Sequence, residues 1–134
     1  MTRYLIDTNV VSELAKRAPH PAVVAWLSAA PDCLLSVLTL GELRRGARML
    51  ERRDAPRAAR LDAWIDGLII EYGSRIIPVD AAVMEHWARL PTVRTVPVID
   101  GLIAATAREH RLTVATRNVS DFAELGVPVH DPFA

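Results

Sequence analysis

Residues 4–14 read Tyr4-Leu5-Ile6-Asp7-Thr8-Asn9-Val10-Val11-Ser12-Glu13-Leu14, and the order of residue types in them decides the fold. Tyr4, Leu5 and Ile6 form a short apolar run of the kind that becomes a buried strand. Asp7 follows at once and opens a segment with helical spacing. Strands that alternate with helices pair into a parallel sheet. The carboxylate at such a junction sits at the carboxyl end of its strand, on the edge where open parallel sheets bind ligands.

The alternation continues outward from this stretch. Apolar runs at residues 34–37, 76–79, 112–115 and 127–130 read as four further strands. Between the second and third, Leu61, Trp64, Ile65, Leu68 and Ile69 recur at three- and four-residue steps, which predicts a helix over 56–72 with one apolar stripe. Trp64 belongs to the core or to an interface. Two helices, 81–90 and 98–110, fill the space between the third and fourth strands, with a proline-flanked joiner at 91–97. The expectation is an α/β fold with a central, mostly parallel sheet of about five strands. At 134 residues the chain is long enough for one sizeable core and too short for two ordinary domains, so residues 1–134 read as a single domain.

Composition removes several function classes. The 16 basic and 16 acidic side chains cancel, so no global field draws the chain onto nucleic acid or an anionic membrane, and any RNA contact must be local. The opening apolar run is broken by Asp7 too early for a signal peptide, and no later run is long enough to span a bilayer. The expectation is a soluble, cytoplasmic protein. Cys33 is the only cysteine, which excludes an internal disulfide and argues against a cysteine-based zinc site; it reads as a small core residue. The basic set contains one lysine, Lys16, at the end of the first helix. Phosphoryl-transfer and receiver domains also place an aspartate after the first strand, but they need a lysine after a late strand, and none is present.

Four carboxylates fall at equivalent junctions. Asp7 follows the first strand, Glu42 lies in the first turns of the helix after the second strand, Asp100 opens the helix of residues 98–110, and Asp121 enters a short helical turn after the fourth strand. Each has a structural alternative, since helix amino termini favour acids through capping and the dipole. Thr39-x-x-Glu42 matches a capping box, and Asn118-x-x-Asp121 resembles one. Asp80, at the start of another helix, reads as a cap. Taken together, the four acids need more than caps. Two carboxylates roughly 5 Å apart repel by roughly 3 kcal/mol at an effective dielectric near 20, so a cation or a proton is required to gather them. The donors are hard oxygens, with no His or Cys in these motifs, and they suit Mg²⁺ or Mn²⁺. Thr8, Asn9, Thr116 and Asn118 are placed to orient those carboxylates or bound waters. Divalent ions held there would attract a phosphodiester and lower the pKa of a water for in-line attack. His20, His86, His110 and His130 fall outside the motifs.

In these motifs, Tyr4-Leu-Ile-Asp7-Thr-Asn-Val-Val-Ser-Glu-Leu, Ser36-Val-Leu-Thr-Leu-Gly-Glu42-Leu-Arg-Arg-Gly, Val98-Ile-Asp100-Gly-Leu-Ile-Ala-Ala-Thr-Ala and Thr116-Arg-Asn-Val-Ser-Asp121-Phe, the chain resembles the VapC toxins of the PIN superfamily. The resemblance covers almost the whole sequence in order and spacing. It implies a three-layer α/β/α fold, Mg²⁺-dependent endoribonuclease activity, dimerisation into a homodimer and neutralisation by a cognate VapB-like antitoxin. It also carries the acidic quartet over to Asp7, Glu42, Asp100 and Asp121, with Asp7 and Asp100 as the foremost metal ligands.

Residues 44–60 hold seven arginines against Glu51 and Asp54, a local charge of +5. Arg44, Arg45, Arg48 and Arg52 are candidates for RNA-backbone contact, which adds salt-dependent affinity without reading sequence; a solvated or antitoxin-facing helix is the alternative. The acids leave two other functions open: a nuclease acting on DNA or flap substrates by the same metal chemistry, and a non-catalytic binding module.

Overall fold

The computed structural model describes residues 1–29, 31–91 and 95–134. β1 (Arg3–Ile6) leads into a one-turn helix, α1 (Thr8–Val11), which continues as a 3-10 turn over Ser12–Ala15. α2 (Pro21–Ser28) precedes β2 (Asp32–Ser36), α3 (Val37–Leu50) and α4 (Ala55–Tyr72) precede β3 (Ile76–Ile77), α5 (Ala81–Ala88) and α6 (Val98–His110) precede β4 (Thr113–Ala115), and α7 (Val119–Ala123) precedes β5 (Val129–His130). Of the joiner expected at 91–97, residues 92–94 lie outside the described residues.

The five strands form one sheet in the order β3-β2-β1-β4-β5, and every pairing is parallel. Successive strand residues point to opposite faces, and here they enter different cores. Leu5, Leu34 and Val114 pack with Val83, Ile103 and Phe122 from α5, α6 and α7. Ile6, Cys33 and Leu35 pack with Val10, Val23, Leu43 and Ile65 from α1 to α4. Strands buried on both faces read as continuous apolar runs, and the result is the expected three-layer α/β/α arrangement. Burial pushes the Cys33 thiol up to about 12, with the Asp32 carboxylate adding to it, so it sits as an unreactive core residue.

The outer strands are shorter than the runs that announce them. β3 stops before Pro78 and β5 starts after Pro128, because proline has no N–H to donate to a ladder; the Pro128 carbonyl still accepts from Val114 N at 2.9 Å. α4 has the predicted extent and ends at Gly73, whose φ of +52° is a backbone position that suits glycine. α3 and α4 are tied side by side: Arg44 reaches Asp62 at 3.0 Å and Asp66 at 2.8 Å, and Arg48 pairs with Asp62 and with Glu51.

Asp80 is a cap, accepting from Val83 N at 3.0 Å at the start of α5. Asp80→Ala is expected to cost about 1 kcal/mol of stability in urea denaturation while leaving Mn²⁺ binding unchanged, the opposite pattern from a site carboxylate.

Candidate metal and phosphodiester site

The chain crosses from β1 through β2 to β3 on one side of the sheet and then returns to β4 on the other side of β1. The order therefore reverses between β1 and β4, and a crevice opens at their carboxyl ends. Asp7 is the residue that enters it. Its backbone N–H extends the β1–β4 ladder by donating to Ala115 O at 2.9 Å. Its side chain is buried, 5 % exposed, beside Thr116, the residue that follows β4.

Three donors hold the Asp7 carboxylate. Thr116 Oγ1 donates to Oδ2 at 2.9 Å, Asn9 Nδ2 donates to the same oxygen at 3.2 Å, and Thr8 N donates to Oδ1 at 2.9 Å. The Thr116 hydroxyl also accepts from Asn9 Nδ2 at 3.3 Å and from Asn118 N at 3.0 Å. A hydroxyl has one proton and two lone pairs, so these contacts use it fully and turn its proton toward Asp7. Asn9 is held in turn by Arg117 N, which donates to Asn9 Oδ1 at 3.2 Å. Thr8 Oγ1 donates to Glu42 Oε1 at 2.6 Å, linking the acid after β2 to the acid after β1.

The capping alternatives resolve differently for each acid. The cap of α3 is Ser36, whose side chain accepts from Leu38 N. Thr39 and Glu42 therefore lie inside the helix, the apparent capping box is no cap, and Glu42 is free to meet Thr8. Asp100 sits in the first turn of α6 without a side-chain capping bond at that terminus, whose cap position is Pro97. Asn118 occupies the cap position of α7, again without a side-chain capping bond, and Asp121 lies in that first turn. Asp7 alone doubles as a cap, of α1.

The four acids act on one another through their charges. Burial, with the charges of Asp100 and Glu42 adding to it and the hydrogen bonds from Thr116 and Thr8 opposing it, pushes the Asp7 carboxyl up to about 6. Asp100 is likewise raised, first by burial and then by Glu42 and Asp121. Among the described residues no group of three His, Cys, Asp or Glu side chains is gathered closely enough to hold a metal ion. The chemistry of the donor set at this edge, all oxygen, is that of Mg²⁺, which is held by one or two carboxylates and keeps several waters.

Thr8 and Glu42 also stand at one end of a cleft of about 940 Å³ between the 3-10 turn after α1, α3 and α4. Lys16, Arg17, Arg57 and Arg60 line it. Arg57 and Arg60 belong to the arginine-rich run visible in the sequence, whereas Lys16 and Arg17 carry no sequence signal of their own. The arginines singled out from the sequence lie elsewhere. Arg44 and Arg48 are engaged with α4 as described above, and Arg45 and Arg52 are exposed but are not among the cleft's lining residues.

Fold and site together define an α/β protein with a carboxylate centre at the switch point of an all-parallel sheet. The chain belongs to the PIN domain family, whose model matches residues 4–127. It is 36% identical over 138 residues to Toxin FitB of Neisseria gonorrhoeae, covering 96% of this chain and 97% of that one. It is 32% identical to the VapC ribonuclease Y4jK of Sinorhizobium fredii, covering 96% of each. The crystal structure of FitAcB from Neisseria gonorrhoeae superposes with a TM-score of 0.89 at 34% identity over 97% of this chain and 98% of that one. Among the described residues no helix is long and apolar enough to cross a membrane.

The raised Asp7 carboxyl predicts a pH dependence with a definite sign. In the unfolded chain its proton leaves near 3.8, in the folded chain near 6, so the folded state is the tighter proton binder and metal-free stability falls as pH rises through that window. Above it the penalty is complete, about 3 kcal/mol. Asp7→Asn does not titrate there. In EDTA, urea denaturation from pH 4 to pH 7 is expected to lower the wild type relative to this variant by about 2 kcal/mol; a constant difference would show that Asp7 is not raised.

Proposed function

We propose that this chain is a Mg²⁺-dependent endoribonuclease, with Mn²⁺ serving the same site, that hydrolyses RNA phosphodiester bonds as the toxin of a type II toxin–antitoxin pair. One observation carries the reading: a buried carboxylate, Asp7, is held by three hydrogen bonds at the sheet's switch point while Asp100 and Glu42 press charge against it. Such a centre is stabilised by a cation, and membership of a family that includes a named ribonuclease supports what the cation is for.

Asp7 and Asp100 would hold the ion directly. Glu42 and Asp121 would complete the negative surface around its waters, with Glu42 fixed by the Thr8 hydroxyl. Thr116 and Asn9 aim the Asp7 oxygens and keep the carboxylate from rotating. A bound divalent ion supplies the charge that draws in a phosphodiester, acidifies the attacking water and steadies the leaving oxygen. The chain's own contribution is the rigid edge that keeps these groups in register.

The likeness to a protein named as a toxin and to a chain solved in a toxin-antitoxin complex from Klebsiella pneumoniae supports a cognate VapB-like antitoxin that holds the chain inactive in the cytoplasm. Met84 and Trp87 on α5 and Val98 and Ile99 at the start of α6 are apolar and exposed, a surface that supports a homodimer.

Thermal melting of the antitoxin-free chain tests the metal site without any guess about the RNA. At ten times its dissociation constant, Mg²⁺ or Mn²⁺ is expected to stabilise the wild type by roughly 1.4 kcal/mol, a rise of a few degrees, and to leave Asp100→Asn unmoved. Thr116→Val keeps the side chain's shape but removes the hydroxyl, and is expected to weaken metal affinity roughly 10- to 100-fold. Cleavage of total RNA should require the ion and be abolished by EDTA. A wild type indifferent to millimolar ion, with and without RNA, would return the acids to structural roles.

A further inference from the structure

Arg117 stands inside the motif that carries Thr116, Asn118 and Asp121, yet nothing in the carboxylate centre uses its side chain. Its backbone is committed there, since Arg117 N donates to Asn9 Oδ1 at 3.2 Å and Asn9 in turn holds Asp7. The guanidinium is held elsewhere, over the ring of Phe133, with Cζ 4.3 Å from the ring centroid.

That ring is well fixed. Thr116 N donates to His130 O at 2.9 Å, which brings the segment after β5 to the end of β4. Asp131 Oδ1 then accepts from Phe133 N at 2.9 Å. The ring packs against the core of α1 to α4 and meets His20 edge-on, with centroids 5.2 Å apart. His20 is tied in turn through its N–H, which donates to Glu13 Oε1 at 2.9 Å.

The charge set on this platform is uncommitted. Arg117 is exposed and takes part in no ion pair among the described residues. The charges that act on Asp7 and Asp100 are those of other acids, so Arg117 is not spent as their counter-ion. Glu13, the buried acid beside His20, is paired with Lys16. Stacking on a ring occupies the face of a guanidinium and leaves its in-plane N–H fork for a phosphate, which it matches two oxygens at a time. The fork also stands in a useful place. In the sheet, Glu42 follows β2 and Arg117 follows β4, so they flank Asp7 from opposite sides, and β4 lies one strand spacing, about 4.8 Å, from β1.

Accepting the ribonuclease reading, on which this rests, we infer that Arg117 is a substrate-binding residue: it takes the RNA phosphate next to the scissile one, on the side of the carboxylate centre away from Glu42. Phe133 is its positioning residue. A long, flexible cation loses rotamer freedom when it binds, and the ring removes most of that freedom beforehand, so the phosphate meets a guanidinium already in place.

The test is fluorescence anisotropy of a labelled single-stranded oligoribonucleotide of mixed sequence, titrated in EDTA at several salt concentrations, beside Mn²⁺-dependent cleavage of total RNA and melting with and without Mn²⁺. Arg117→Ala keeps the backbone N–H that holds Asn9, so its Mn²⁺ shift in melting temperature should match the wild type. Its RNA binding should weaken roughly tenfold, with the salt slope lower by about 0.7, one phosphate contact. Phe133→Leu keeps the apolar bulk but offers no aromatic face, and should weaken binding to a lesser degree at a nearly unchanged slope. Combined with Arg117→Ala it should add nothing further, since the ring acts on RNA only through the guanidinium. If the wild type cleaves RNA and Arg117→Ala binds with wild-type affinity and slope, the contact is wrong and the ribonuclease stands. Loss of the Mn²⁺ shift in Arg117→Ala would make the side chain a support of the acids and overturn the phosphate contact. Additive losses in the double variant would overturn the positioning role of Phe133. If the wild type neither binds nor cleaves RNA, the contact and the ribonuclease reading fall together.

Discussion

The structure turns on a carboxylate kept where water hardly reaches it. Burying an ionised group without partners is so costly that it normally takes up a proton instead, and Asp7 is part of the way there, with its carboxyl pushed up to about 6. The Thr116 hydroxyl, the Asn9 amide and the Thr8 N–H pull the other way. These donors come from the end of β4 and from the first turn of α1, so the carboxylate is balanced only when β1 and β4 lie side by side and α1 folds back against them. A poised acid of this kind is where strongly perturbed groups and function tend to coincide.

The topology makes that balance possible and then adds the other acids. In an all-parallel sheet every strand ends on one edge, and each helix that follows a strand begins there. Central β1 contributes Asp7, its neighbour β2 leads into α3 with Glu42, and its other neighbour β4 delivers Thr116 and then Asp121 on α7. Asp100 arrives by a different route, from the beginning of α6, which runs back across the sheet before β4. The double-sided core holds the edge rigid. Leu5 and Ile6, adjacent in the chain, are anchored in opposite layers, so the residue after them has little freedom to move.

Much of this was legible from residues 4–14, because a strand, an acid and a helix in immediate succession leave few geometries. The acids after the other strands could be placed on the same edge by the same rule. What escaped depended on contacts between elements. Thr39 and Glu42 satisfy a capping box by spacing alone, yet the helix starts at Val37 with Ser36 as its cap, and only the true start tells a cap from an interior acid. The strand ends misled for a simpler reason: one apolar run continues through Pro78 and another begins at Val127, but the strands stop at Ile77 and start at Val129, since proline cannot donate to the ladder.

The arginines show how a helical period sorts charges that composition lumps together. On α3, Glu42, Gly46 and Leu50 fall four residues apart and form the stripe that walls the cleft. Arg44 and Arg48 share the same spacing but are displaced by two residues, about 200° around the axis, and that stripe meets Asp62 and Asp66 of α4. Those two carboxylates absorb the cations that would otherwise crowd Glu42's own helix, and they fix the pitch of α4 against α3. Arg57 and Arg60, three residues apart in the first turns of α4, are then carried to the cleft side by side. A chain with no net charge thus separates its charges into an acidic edge and a basic cleft that share a boundary at Thr8 and Glu42, and the carboxylates of α4 make that separation possible by taking up the arginines that face the other way.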